Sequence, residues 1–291
     1  MNHNHLAWPD VPPERIIAYQ GVPGAYSNLA CRERLPELTP APCPSFEEAF
    51  AAVREGRAGR AMIPVDNSVA GRVADVHHLM PNSGLHIVGE HFLRVNHQLL
   101  GLRGARLETI RSVESHVHAL GQCRNFLRKH KLAPIVAADT AGAAADVALR
   151  GDPTRAAIAS SLAAEIYDLQ VLASDIEDAA HNTTRFLILA REPEWPPADG
   201  ETVVTTFVFR VRNVPAALYK ALGGFATNGI NMVKLESYVD GAFVQAQFYA
   251  DVMAHPDEQR LKLAFEELNF FAHDVQILGV YPADPFRRGL A

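Results

Sequence analysis

Apolar residues recur along the first two thirds of the chain in two alternating rhythms. Short runs, IIAYQ (16–20), AMIPV (61–65), LHIVGE (85–90), TIRSVES (109–115), IVAA (135–138), AAIAS (156–160) and RFLILA (185–190), read as strands. Between them lie helix-period segments. SFEEAFAAVREG opens with Ser45 and Glu48 at capping-box spacing and ends on Gly56, and RVADVHHLM repeats Val73, Val76 and Leu79 at helical spacing. Further helices are expected over 116–130, 141–150 and 161 to about 167. Strands alternating with helices predict an α/β domain of about 190 residues, a parallel or mixed sheet covered by helices, with room for two lobes.

The last third has a simpler order. TVVTTFVFRV reads as a strand; Asn213 and Pro215 can cap and start a helix through AALYKALGGFATN, which Gly229 can stop. INMVKLESYV and FVQAQFYADV are two strands parted by the turn residues Asp240 and Gly241. PDEQRLKLAFEELNFF is an amphipathic helix and VQILGVYP a final strand. The sum is βαββαβ, a ferredoxin-like arrangement. The stretch REPEWPPADGE, with three prolines, one glycine and four acidic residues, separates the two parts. The expected organisation is an N-terminal extension (1–14), a first domain (15–191), a linker (192–201), a second domain (202–282) and a C-terminal tail (283–291).

Composition narrows the class. The length of 291 residues calls for more than one core, and 48% apolar with 21% charged residues is globular. No apolar run approaches a membrane span, and MNHNHLAWPDVPPER lacks the plan of a secretory signal, so a cytoplasmic protein is expected. A net charge of -6 without a basic run leaves no footprint for nucleic acid. The three cysteines form no CxxC pair and the histidines no HExxH, so neither a disulfide framework nor a metal site is expected.

Chemistry is concentrated where strands end. YQGVPGAYSNLA (19–30) places Gly21, Pro23 and Gly24 between a strand and a helix, either a plain tight turn or a helix N-terminus open to a carboxylate. PVDNSVAGR (64–72), VESHVHALGQC (113–123) and AADTAGAAADV (137–147) each close a strand with polar groups. HNTTRFLIL (181–189) opens one with two threonines and an arginine. Several strand ends converging on one polar cleft would account for the repetition.

Together these motifs resemble the prephenate dehydratase family over nearly the whole chain. The first domain carries GxxGAYS at 21–27, a P-[IV]-[ED]-N-S stretch at 64–68, S-H…Q-C at 115–123, D-T-A at 139–141 and N-x-T-R-F at 182–186. The C-terminal domain resembles that family's ACT regulatory domain, with V-P-A-A-L-Y-K-A-L at 214–222, G-I-N at 229–231 and E-S at 236–237. The resemblance implies a two-lobed catalytic domain, similar in architecture to periplasmic binding proteins, followed by the ACT domain. It implies decarboxylative dehydration of prephenate to phenylpyruvate in phenylalanine biosynthesis, without a cofactor, in a homodimer or homotetramer paired through ACT domains. Arogenate dehydratase, which acts on the amino-acid analogue, and a non-catalytic amino-acid sensor are the alternatives.

By the same resemblance the catalytic positions are Thr184, Asn67, Ser115 and Gln122. Tyr26, Ser27, Ser68, His116, Thr140, Arg185 and Phe186 are expected to bind substrate. Adjacent strand residues point to opposite faces, so Arg185 either binds a substrate carboxylate or braces the motif through a buried ion pair. L-Phenylalanine would be the effector, held by Ala217, Leu218, Asn231, Glu236 and Ser237. Four positions depart from the family pattern. Asp66 stands where many relatives have Glu; Ala216 replaces the glycine of G-A-L; Tyr238 and Val239 replace the Arg and Pro of E-S-R-P. The extension of about 15 residues is too short for the chorismate mutase domain fused to some relatives, so a monofunctional enzyme is expected.

Overall fold

The structure is a computed structural model that describes residues 8–198, 200–212, 214–239 and 246–289. It divides into two compact units, residues 1–77 with 91–186, and residues 78–90 with 187–291. In chain order the first unit and the passages to the second contain β1 (Ile16–Gln20), α1 (Tyr26–Arg34), β2 (Thr39–Cys43), α2 (Phe46–Arg54), β3 (Arg60–Asn67), β4 (Gly71–Arg72), α3 (Ala74–Leu79), β5 (His86–Arg94), β6 (Gln98–Gly101), β7 (Ser112–His116), α4 (Val117–Gln122), α5 (Arg124–Lys129), β8 (Ala133–Ala137), α6 (Thr140–Arg150), β9 (Arg155–Ala159), α7 (Ser161–Ile166), β10 (Gln170–Ala173) and β11 (Thr183–Ala190).

Two sheets make two lobes of the first unit. In one, the order runs β11-β3-β1-β2, with β1 parallel to both β2 and β3. Ile16, Ile17, Ala18 and Tyr19 of β1 are all buried, which is why this strand reads as a continuous apolar run rather than an alternation. The other sheet runs β10-β6-β9-β7-β8, with β7, β8 and β9 parallel and the first two pairings antiparallel. On it packs α6, whose Ala141, Ala143, Ala144 and Val147 form a shallow buried face. At Gly24 the lobes approach closely. Its φ is +88°, and a Cβ there would lie 2.9 Å from the Ala163 backbone. Ser160 donates to the Gly24 carbonyl at 2.6 Å and Tyr167 to that of Pro23 at 2.7 Å.

The strand–helix rhythm survives with local differences. Ser45 accepts from the Glu48 N–H at 3.3 Å, and Asp139 and Ser160 cap α6 and α7 in the same way. The helix expected over 116–130 is two short helices broken at Cys123. The strand expected at 109–115 begins only at Ser112, after a turn of 3-10 helix. Strand β2 carries Pro40 and Pro42, tolerable because it is the outermost strand of its sheet, and those prolines hide it from a pattern reading. Strands β6 and β10 are four residues each, too short to show a period.

The second unit is built on β12 (Val203–Val211), α8 (Ala217–Thr227), β13 (Met232–Val239), β14 (Ala246–Val252), α9 (Gln259–Phe271) and β15 (Ala272–Pro282). Its antiparallel order β13-β14-β12-β15 is the ferredoxin-like one. Phe207, Phe209, Phe248, Ala250 and Val252 face Ala221 and Phe225 of α8 and Leu261, Ala264 and Leu268 of α9. Gly224 lets the helices approach, since a Cβ there would meet Glu267 Cβ at 2.8 Å. Residues 78–90 belong to this unit because β15 pairs in parallel with β5 at Gly279 and Ile87, where any Cβ on Gly279 would collide with the Ile87 carbonyl. The division therefore falls at 186/187 rather than in the proline-rich stretch 192–201.

The expected cap Asn213, the Asp240–Gly241 turn, the start of the FVQAQFYADV strand, residues 1–7 of the extension and 290–291 of the tail lie outside the described residues. Helix α8 does not start from a side-chain cap. Its N-cap is Ala216, held at φ +59°, a left-handed conformation that strains a residue with a Cβ.

Candidate active site

Strands β1, β2 and β3 are parallel, so Gln20, Cys43 and Asn67 end on one edge of the sheet. Strand β11 begins at that same edge. The Ser68 N–H donates to the Thr183 carbonyl at 2.9 Å, and the Ser68 hydroxyl accepts from the Thr183 N–H at 2.9 Å while donating to the His181 carbonyl at 2.7 Å. Ser68 is thus occupied in fixing the mouth of β11.

Asn67 sets the polarity of the site. Its Oδ1 accepts from the N–H groups of Val69 and Ala70 at 2.9 and 2.7 Å, the bonds of an Asx turn. Its Nδ2 must then face the other way, where it donates to Asn182 Oδ1 at 2.8 Å and to Thr184 Oγ1 at 2.9 Å. Asn182, buried at 1% exposure, turns its own Nδ2 to Gln122 Oε1 at 3.0 Å. Gln122 Oε1 also meets His97 Nε2 at 2.7 Å, and His97 Nδ1 meets the Tyr26 hydroxyl at 2.8 Å. Six side chains thereby form one chain of hydrogen bonds from Thr184 to Tyr26.

Three of the expected residues stand elsewhere. Ser115 is fully buried and donates its hydroxyl to the Ile158 carbonyl at 2.6 Å, a strand-to-strand clamp rather than a cleft donor. Arg185 is turned to the face opposite Thr184, as strand alternation dictates. It is 5% exposed, with its guanidinium 3.9 Å from the Asp66 carboxylate and 6.0 Å from the centre of the Phe92 ring. Phe186 shares the Thr184 face by alternation but is 1% exposed, a core side chain.

A cavity of about 420 Å³ opens between the lobes of the first unit. Gln20, Gly21, Tyr26 and Ser27 line it from one side and His116, Asp139 and Thr140 from the other. Thr184, Asn67 and Gln122 are not in its wall; Tyr26 is the member of the hydrogen-bond chain that reaches it. Helix α1 starts at the cavity with Ala25 as its N-cap, so no capping side chain accepts from its first N–H groups, which like those of any helix have no intrahelical partner. The Gly24 N–H is taken by Asn28 Oδ1 at 3.1 Å.

Burial governs ionisation here. It raises the Tyr26 phenol well above its ordinary value and draws the His97 imidazole down, against the pull of its bond to Gln122 and the charge of Glu177. It also lowers His116, with neighbouring His118 adding to the effect. Cys43, which lines the cavity, is pushed up to about 11 mainly by burial. The site offers neutral donors and acceptors, not an activated thiolate. Among the described residues no cluster suited to a metal ion occurs, and no helix is long and apolar enough to cross a membrane.

The hydrogen-bond chain contains two residues that sequence reasoning did not single out. His97 sits in RVNHQLLG with no motif to mark it, and Asn182 appears in the N-x-T-R-F motif without an assigned role. In the second unit Ala217 and Leu218 open α8 and Asn231 precedes β13. Glu236, 3.4 Å from Lys234, and Ser237 lie next to each other on β13 and so point to opposite faces.

Comparison with known proteins identifies the family. Residues 17–194 match the family model described as prephenate dehydratase. A bifunctional N-acyl-homoserine lactone acylase/prephenate dehydratase of Komagataeibacter europaeus is 52% identical over 94% of this chain and 98% of its own length. An arogenate dehydratase/prephenate dehydratase of Arabidopsis thaliana is 41% identical over 93% of this chain and 73% of its own. The crystal structure of a prephenate dehydratase from Arthrobacter aurescens in complex with L-Phe superposes with a TM-score of 0.84 at 28% identity, covering 92% of this chain and 90% of that one. The match spans both lobes and the strand ends that carry Asn67 and Thr184, and the chain belongs to the prephenate dehydratase family.

Proposed function

We propose that the protein converts prephenate to phenylpyruvate, carbon dioxide and water, with Thr184 donating a hydrogen bond to the departing hydroxyl. The observation that carries this is the direction of one bond. Asn67 Nδ2 can only donate, so Thr184 Oγ1 is an acceptor toward it and the hydroxyl proton is left to point elsewhere. As the ring carboxylate leaves as carbon dioxide, the electron pair of the broken C–C bond moves through the ring and the carbon–oxygen bond opposite breaks. Hydroxide is a poor leaving group unless it receives a hydrogen bond or a proton as it departs. Thr184 supplies that contact from a stiff β-branched side chain at the mouth of a strand, and the N–H bond from Asn67 makes its proton more acidic. Asn182 and Gln122 hold Asn67 in this sense, and Ser115 holds the strand beneath them.

The substrate is a dianion, and α1 offers it a seat. Ala25, Tyr26 and Ser27 at the start of that helix line the cavity, and a substrate seated there must extend beyond its wall to reach Thr184. His116 and Thr140 face them across the cleft. Arg185 acts on the site through Asp66 and β3.

One observation favours arogenate as a second substrate. The Asp139 carboxylate, whose Oδ1 caps α6, lines the same cavity, where it would attract the α-ammonium of arogenate and gain nothing from the neutral keto group of prephenate. Phenylpyruvate release from prephenate against phenylalanine release from arogenate, both followed by absorbance, tests the two readings. Absence of turnover on either would overturn the function.

The second unit is read as an ACT-type regulatory domain that binds L-phenylalanine around Ala217, Leu218, Asn231, Glu236 and Ser237. Its strand order and the L-Phe complex of the Arthrobacter relative support this. Phe270 and Tyr219, 71% and 81% exposed on its helices, leave apolar surface for a second copy. Calorimetric titration with L-phenylalanine checks the effector, and the heat should be lost in Glu236→Ala.

A further inference from the structure

Resting on the dehydratase reading, we propose that His97 is a positioning residue that fixes the direction of the hydrogen-bond chain ending on Thr184, although it touches neither Thr184 nor the substrate cavity. His97 is 2% exposed and stands between the lobes, bonded through Nε2 to Gln122 of α4 and through Nδ1 to Tyr26 of α1.

The argument is one of donors and acceptors. At one end the Val69 and Ala70 N–H groups lock the Asn67 amide, so Asn67 presents Nδ2 to Asn182. Asn182 must therefore present Oδ1 to Asn67 and Nδ2 to Gln122, and Gln122 must answer with Oε1. An acceptor facing His97 Nε2 requires that nitrogen to carry its proton, which leaves Nδ1 an acceptor that shares the single Tyr26 hydroxyl proton with the Asn96 carbonyl. His97 is thus the second anchor. Without an Nε2–H beside it, nothing at that end prevents the Gln122 amide from turning its NH₂ toward Asn182. Two NH₂ groups would then confront each other along the chain, and Asn182 could no longer offer Oδ1 at the place that holds Asn67 Nδ2 against Thr184 Oγ1. The groups facing His97 agree with this tautomer. The Glu177 carboxylate accepts the His97 backbone N–H at 2.9 Å and lies 3.8 Å from Arg94, so its charge is already engaged.

Removing the imidazole should leave the fold standing. Gln122 Oε1 keeps Asn182, and Tyr26 keeps the Asn96 carbonyl at 2.9 Å, so neither is stranded. The test is steady-state kinetics on prephenate with the full chain. His97→Leu should lower kcat ~10- to 100-fold, the cost of a loosely held reacting group, with KM changed less than about threefold. His97→Gln, whose amide offers an acceptor and a donor on one planar group, should restore most of kcat. Gln122→Met cuts the path between His97 and Asn182, so in that background His97→Leu should cost no further kcat.

Multiplying effects of His97→Leu and Gln122→Met would overturn the proposal, as would a rise in KM with kcat unchanged, or a fall in kcat in His97→Leu that His97→Gln does not relieve. An inactive wild type would instead sink the dehydratase reading on which the proposal stands.

Discussion

The side-chain amide of Asn67 donates to the hydroxyl of Thr184 at 2.9 Å, and two backbone N–H groups on the other side of the amide allow it no alternative orientation. Thr184→Val keeps the shape and branching of the side chain and deletes only the donor. Its kcat should fall by ~10²–10⁴ with melting temperature nearly unchanged, while Thr184→Ser, which keeps the hydroxyl, should lose far less. Full activity in a folded Val variant would remove Thr184 from the mechanism.

Asn67→Asp isolates direction from shape. One carboxylate oxygen can still accept from Val69 and Ala70, but the other now faces Thr184 as an acceptor and draws the hydroxyl proton to itself. The variant should be as impaired as Thr184→Val at neutral pH. A protonated carboxyl can donate again, so activity should return as pH falls through the Asp pKa. A flat pH profile for the ratio of variant to wild-type kcat would contradict this.

The pair Asp66–Arg185 lies on the opposite face of the same two strands, with the arginine buried. Asp66 is 26% exposed and 3.9 Å away, so losing Arg185 leaves no fully buried charge and costs less than breaking a fully buried pair, about 1–3 kcal/mol. Arg185→Met should lower the denaturation midpoint by an amount of that order, and its remaining folded fraction should keep a kcat closer to wild type than that of Thr184→Val. Chemical denaturation alongside active-site titration separates the two effects.

In the second unit the fully buried Glu90 carboxylate is gripped by Arg287 through two bonds of 2.6 and 2.9 Å and accepts the Asp284 N–H at 3.1 Å. Arg287→Ala leaves a buried charge with less to hold it. The expected loss is about 3–5 kcal/mol, and the double variant Glu90→Gln with Arg287→Ala should recover part of it. Equal melting temperatures for Arg287→Ala and wild type would show that the pair contributes nothing.

Ala216 occupies a left-handed position at the start of α8. Glycine adopts that conformation without a steric cost, so Ala216→Gly should stabilise the second unit by up to ~1 kcal/mol, offset in part by greater chain entropy when unfolded. A lowered thermal midpoint would refute the strain.

The sequence by itself determined the strand–helix rhythm, the βαββαβ order of the last third and the cap residue Ser45, because these depend on period and local hydrogen bonds alone. The family resemblance carried by its motifs grouped Asn67, Ser115, Gln122 and Thr184. Tertiary structure decided what those side chains do. Nothing local sends Ser115 into the core, turns Arg185 toward Asp66 or recruits His97 and Asn182. The partners concerned are separated by 25 to 119 residues and meet only when strands from different parts of the chain come into register. Periodicity reports which face a residue occupies, whereas the direction of a hydrogen bond depends on every donor and acceptor that the fold brings beside it.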